Sequence, residues 1–168
     1  LKKNKIKFYR GDNDNVLSRF QKITSKMNSE DIVIRVTADN PIVDGFLIQK
    51  LLKEYKDKKY SYLSSHDNLN NAPYGLQVEI FRVRHLREKF QKNKFNLEHV
   101  TPVIRKRYLS KNKFSILGLE KFRNLRITVD NYEDFNRVYN IFKASFFNVK
   151  KRYIDLLKNY YKKKKNLK

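Results

Sequence analysis

Two aspartates stand at the ends of apolar runs that read as core strands. Asp39 follows DIVIRV (31–36) by way of Thr37 and Ala38, and Asp130 follows LRITV (125–129) directly. Open α/β sheets bind ligands beyond the carboxyl ends of their parallel strands, where the chain leaves the sheet and polar side chains converge. On neighbouring strands both carboxylates would reach one Mg²⁺, a hard cation that takes oxygen ligands together with substrate phosphates. The same residues have a plainer use, as caps for the helices that follow. Spacing alone favours the cap.

Other metal chemistry finds little to work with. There is no cysteine, which excludes disulfides and zinc-thiolate sites, and His66, His85 and His99 do not fall at metal-ligand spacing. Any bound metal is expected to be held by oxygen.

The elements that would position the aspartates follow from periodicity. Ile32, Val33, Ile34 and Val36 have little polar alternation, which suits a strand buried on both faces. Leu47, Leu51 and Tyr55 recur every four residues with Asp44 ahead of them, which predicts a capped helix. Residues 60–63 read as a short strand. In LQVEIF (76–81), Leu76, Val78 and Ile80 alternate with Gln77, Glu79 and Phe81, which reads as a half-buried antiparallel strand. Val100, Ile104 and Tyr108 predict a helix in which Pro102 is tolerable near the start. Asn131 and Asp134 resemble a capping box ahead of the apolar face of Phe135, Val138, Tyr139 and Phe142. Val149, Tyr153, Leu156 and Tyr160 outline a last helix. These elements, with no separating linker beyond the polar patch 66–71, predict one α/β layer fold.

Composition sets the class. The 168 residues are 40% hydrophobic, enough for a core, and hold no run near the ~20 apolar residues that a membrane span requires. A cytosolic protein without a membrane partner is expected. The formal net charge is +22, from 39 Lys plus Arg against 17 Asp plus Glu. Such a balance attracts nucleic acid. Here it accompanies an excess of Asn, Ile, Phe and Tyr with only 4 Gly and 3 Pro, a pattern that A/T-rich codons would produce whatever the function. Much of the lysine is terminal, in Lys2, Lys3, Lys5 and the run 162–165, so 162–168 reads as a basic tail behind a domain of residues 1–161. Nucleic acid is not the expected partner, and a basic RNA-binding module remains the alternative.

Five segments, in order, carry a resemblance: YRGDNDNVLSRF (9–20), VIRVTADNPIVD (33–44), APYGLQVEIF (72–81), LEHVTPVIRKRY (97–108) and LRITVDNYEDF (125–135). Together they resemble the spore coat polysaccharide biosynthesis protein F family, a branch of the cytidylyltransferases related to the acylneuraminate and ketodeoxyoctonate enzymes. The resemblance implies a Rossmann-like, mostly parallel sheet sandwiched by helices, of the nucleotide-diphospho-sugar transferase type. It implies a nucleotidyltransferase that joins a sugar hydroxyl to the α-phosphate of CTP and releases pyrophosphate, with Mg²⁺ offsetting phosphate charge.

The resemblance also implies residue roles. Asp39 and Asp130 would be the metal carboxylates. Arg35 and Thr37 would support the site or contact substrate, with Arg35 a catalytic candidate. Gly75 would let backbone pass close to a ligand, and Glu79 would accept from sugar hydroxyls. His99, beside Glu98, would sit near the sugar pocket as a candidate base. Arg10, Asp12 and Arg19 would contact nucleotide or sugar. Each has a structural alternative: a turn for Gly75, a buried carboxylate partner for Arg35, an exposed edge position for Glu79, a first-turn acid for Glu98, a surface position for His99 and a helix cap for Asp12.

Two positions depart from the family, Asn40 where Cys often follows the metal Asp and Leu97 where Arg often precedes the Glu-His pair. The family's Gly-rich triphosphate loop is not recognisable either, because Gly11, Gly45, Gly75 and Gly118 are isolated. The chain opens on Leu1, so a fold missing its first strand and triphosphate loop is expected, inactive alone. A homodimer through Phe146, Phe147, Tyr153 and Tyr160 is one use for the aromatic C-terminal segment, and packing on its own domain is the other.

Overall fold

A computed structural model of the chain describes residues 5–66, 72–89, 93–109, 122–148 and 150–165. Gly118, Val149, the patch 67–71 and the terminal lysines at 2, 3 and 168 lie outside the described residues. In chain order the elements are α1 (Val16–Ile23), β1 (Ile32–Arg35), α2 (Gly45–Asp57), β2 (Tyr62–Ser64), β3 (Glu79–Arg82), α3 (Val83–Leu86), α4 (Lys94–His99), α5 (Pro102–Tyr108), α6 (Tyr132–Lys143) and α7 (Tyr153–Lys165). The strands form a three-stranded sheet of order β1-β3-β2. Val83 donates to Asp31 and Arg84 to Ser29, each at 2.9 Å, so the pairing runs in opposite chain directions and β3 is antiparallel to β1.

The chain divides into two compact units, Leu1–Val33 with Phe81–Leu109, and Ile34–Ile80 with Ser110–Lys168. In the first unit α1 packs on α4 and α3, with Leu17, Val83, Leu86, Val100 and Ile104 buried. Asn15 caps α1, accepting from the Ser18 amide at 3.0 Å, and Pro102 occupies the first turn of α5, where its missing N–H leaves no carbonyl unpaired.

In the second unit α2 buries the expected face, Leu47, Leu51 and Tyr55, against β2. Asp44 caps it, with Oδ1 accepting from the Leu47 amide at 2.8 Å. The other oxygen of the same carboxylate accepts from the Tyr153 amide at 2.7 Å, at the start of α7. One side chain therefore satisfies orphan donors at two helix N-termini. Asn131 caps α6 by accepting from the Asp134 amide at 2.9 Å, and α6 packs on α7.

Four expectations shift. β1 is only half-buried along its whole length, and among the described residues it lies at one edge of the sheet. Among the described residues the LRITV segment is extended but joins no named strand, and its one bridge is the parallel pair Tyr74 and Arg126. Strand alternation fails in β3, where Glu79, Ile80 and Phe81 are all buried since both faces are covered. Lys162, Lys163 and Lys164 belong to the exposed end of α7 and not to a separate tail.

Candidate active site

The turn after β1 is built by Thr37 and Asn40. The Asn40 amide donates to the Thr37 carbonyl at 3.2 Å, and its side-chain nitrogen to the Thr37 hydroxyl at 2.9 Å. Thr37 thus supports the turn that carries Asp39. The Asp39 carboxylate is exposed and makes no hydrogen bond or ion pair among the described residues.

The LRITV segment lies against that turn. Val129 donates to the Asp39 carbonyl at 2.9 Å, and the Thr128 hydroxyl reaches the same oxygen at 3.4 Å. Asp130 is therefore one residue beyond a direct bond to Asp39. The same edge is also held by the 72–76 loop, since Ile127 donates to the Tyr74 carbonyl at 2.7 Å. Gly75 makes that approach possible. A Cβ there would fall 2.3 Å from the Thr128 amide nitrogen and 2.4 Å from the Ile127 carbonyl carbon, and φ is +109°. In this structure the glycine admits protein backbone.

The capping alternative for the two aspartates does not hold. Asp44 caps α2 and Asn131 caps α6, so neither Asp39 nor Asp130 occupies a helix N-cap. Asp130 pairs instead with Arg126, a residue that sequence reasoning passed over. Arg126 is fastened to Asp134 by Nε to Oδ1 and Nη2 to Oδ2, each at 2.9 Å, and its guanidinium lies 5.0 Å from the centre of the Tyr74 ring. Asp134 also accepts from Arg137 at 2.7 Å. The hydrogen bond from Arg126, and then that from Arg137, hold the buried Asp134 carboxyl well below the usual carboxylate range against the opposing cost of burial. The period-2 spacing of Arg126, Thr128 and Asp130 was the signal that could have found Arg126.

Arg35 and Glu79 meet at 2.5 Å, and Glu79 also accepts from the Tyr62 hydroxyl. Glu79 is completely buried, so in this arrangement it positions Arg35 and does not face a ligand. The buried-partner alternative for Arg35 is the one observed. Beside these groups an apolar pocket of about 440 Å³ is lined by Ala38, Pro41, Val129, Phe135, Val138, Tyr139, Phe142 and Phe147. Ala38 and Val129 immediately precede the two aspartates.

The remaining candidates lie in the other unit. Asp12 accepts from the amides of Asp14 and Asn15, each at 2.8 Å, which lowers its pKa and orders the turn before α1. Arg10 is exposed, and the stem of Arg19 packs on Gly11. Glu98 and His99 are exposed near the end of α4, with the His99 ring edge-on to Phe95 at 4.5 Å. Of the aromatic C-terminal residues, Tyr153 is buried within its own unit, while Phe146 is 93% exposed.

Among the described residues no group of three or more His, Cys, Asp and Glu side chains could enclose a metal. Asp39 and Asp130 would offer oxygen donors only, the kind of donor that suits Mg²⁺.

The model of the cytidylyltransferase family matches residues 3–167. The chain belongs to the cytidylyltransferase family. Among curated relatives, an uncharacterized protein of Methanocaldococcus jannaschii is 33% identical over 137 residues, covering 77% of this chain and 53% of that one. The spore coat polysaccharide biosynthesis protein SpsF of Bacillus subtilis is 28% identical over 151 residues, covering 83% and 58%. The chain thus spans a little over half the length of these two relatives. A cytidylyltransferase structure from Leptospira borgpetersenii serovar Hardjo-bovis superposes with a TM-score of 0.76 at 21% identity, covering 98% of this chain and 69% of that one. The expected nucleotide-diphospho-sugar transferase-like fold is therefore present. Among the described residues no helix is long and apolar enough to cross a membrane.

Proposed function

We propose that this cytidylyltransferase chain supplies the Asp39 and Asp130 cation site of an enzyme that activates a sugar with CTP for polysaccharide or glycoconjugate synthesis. In the reaction a sugar hydroxyl oxygen forms a bond to the α-phosphorus of CTP and gives up its proton to water, the bond from that phosphorus to the bridging oxygen breaks, and pyrophosphate leaves. The observation that supports the reading is the bond from Val129 to the Asp39 carbonyl, which makes the residue before Asp130 a backbone neighbour of Asp39, while neither aspartate caps a helix. Mg²⁺ held there would offset charge on the phosphates. Thr37 and Asn40 fix the turn under Asp39, Arg126 pairs with Asp130, and Glu79 holds Arg35 by its guanidinium. The apolar pocket beside them weakens screening at its mouth and so strengthens the field of the site.

The test is Mn²⁺ titration followed by electron paramagnetic resonance, with Asp39→Asn and Asp130→Asn as variants. One bound ion, weakened at least about ten-fold by either substitution, is expected from the loss of a charged ligand. Equal Mn²⁺ binding by all three proteins overturns the reading. So does absence of bound ion alongside RNA association that falls steeply with salt, which a basic nucleic-acid module would show.

A further inference from the structure

Arg126 holds its partners unequally. A guanidinium carries five N–H donors in a planar fork. The edge made by Nε and one Nη2 proton is taken by both oxygens of Asp134, which is buried and braced by Arg137. The second edge, made by Nη1 and the other Nη2 proton, meets only Asp130 through Nη2, and Nη1 makes no hydrogen bond among the described residues. Asp130 is the exposed member of the group, with its side chain 47% accessible against 2% for Asp134. The Tyr74 ring lies against the guanidinium, with Cζ 5.0 Å from the ring centre, and holds it by a cation–π contact.

These contacts make Asp130 the removable ligand and Asp134 the permanent one. If Asp130 turns to a cation shared with Asp39, Arg126 stays where it is, because its fork to Asp134 and the Tyr74 face are untouched. The three side chains left, Arg126, Asp134 and Arg137, then sum to +1. They present one unused planar edge beside a bound cation. Two parallel N–H donors match two oxygens of a phosphate, a pairing for which arginine is suited and lysine is not.

We propose that Arg126 is a phosphate-binding side chain of the site, covered by Asp130 in the free protein and uncovered when Asp130 takes up the cation. This rests on the reading of Asp39 and Asp130 as cation ligands. Arg126 thereby links the two events: the cation is bound at the expense of one ion pair, and the vacated edge is filled by the phosphate that accompanies it.

The experiment pairs two titrations on the wild-type chain, Arg126→Lys and Arg126→Gln. Mn²⁺ alone is followed by electron paramagnetic resonance, and preformed magnesium pyrophosphate by calorimetry. Arg126→Lys keeps the positive charge beside Asp134, so the fold, checked by its melting curve, survives without the planar fork. The expected result is Mn²⁺ affinity equal to or above wild type in both variants, because Asp130 has lost its competitor, with pyrophosphate affinity at least ten-fold lower. Unchanged pyrophosphate affinity in folded Arg126→Lys overturns the phosphate role while leaving the cation reading intact. Parallel loss of both affinities also overturns it, since that is the mark of a purely structural arginine. Absence of Mn²⁺ binding by the wild-type chain removes the cation reading and this inference with it.

Discussion

The amide of Val129 donates to the carbonyl of Asp39 at 2.9 Å, and two residues earlier the amide of Ile127 donates to Tyr74 at 2.7 Å. The segment that leads to Asp130 is therefore held at two successive points by backbone. Such bonds fix position more firmly than side-chain contacts, because neither partner can rotate away. The spacing of the carboxylate pair is set by three chain segments and not by the aspartates themselves.

Gly75→Ala should disturb that spacing. Its Cβ would meet the Thr128 amide nitrogen at 2.3 Å, at a φ of +109°. Overpacking costs about 1–3 kcal/mol, and a non-glycine residue in a sparsely populated region adds about 1–3. At roughly 3 °C per kcal/mol for a chain of this size, the melting midpoint should fall clearly. Gly45→Ala, with nothing within 4 Å of its Cβ, is the control and should not lower it. Equal midpoints for the two variants would contradict the packing argument.

Glu79→Ala should be among the most damaging single changes in its unit. It leaves the Arg35 guanidinium without its carboxylate and the Tyr62 hydroxyl without that acceptor, at a position with no solvent access. Removing one member of a buried pair costs about 3–5 kcal/mol. Glu79→Gln, which keeps an acceptor, should lose less. Chemical denaturation of the three proteins ranks them, and the reverse order would show that Glu79 is not the anchor of Arg35.

Asp44→Ala removes two helix caps at once. Each cap is worth about 1 kcal/mol, so the loss should be close to twice that of Asn15→Ala, which removes the single cap of α1. Urea midpoints for the two variants test the ratio, and a ratio near one would mean that the bond to Tyr153 contributes nothing.

Acid should weaken the other unit through His85. Burial is the main force holding its imidazole below the ordinary value of 6.5, with Arg84 and Arg82 adding to the effect and Glu88 and Glu30 opposing it. Its ring stacks on Tyr108 at 4.3 Å. The folded pKa is depressed, so the unfolded chain takes the proton first as pH falls. The contribution is fully present above about 6.5 and is lost as pH drops from there through the folded value. Replacing His85 by Phe should flatten that part of the stability profile between pH 8 and 5, and an unchanged slope would exclude His85 as its source.

Much of this architecture was legible in the sequence because it rests on local rules. The apolar face of α2 with Asp44, and Asn131 ahead of α6, follow from periodicity and capping. What escaped depends on partners distant in sequence. Glu79 reads as outward-facing by alternation, and only Tyr62 and Arg35 make its burial tolerable. Arg126 reads as one more basic residue in a lysine-rich chain until Tyr74, Asp130 and Asp134 surround it. LRITV has strand composition, yet it bridges only Tyr74, a pairing that no property of its own residues foretells.

The double use of Asp44 bears on the order in which the chain is made. Its two acceptor oxygens join the start of α2 to the start of α7 across 109 residues. While the chain is still being synthesised, α2 can form on its local cap, but the second oxygen has no partner until α7 emerges. The second unit therefore reaches its final hydrogen bonding only after α7 has been made. Closing so long a loop is a late event in folding, and the ribosome must release the start of α7 before it can occur.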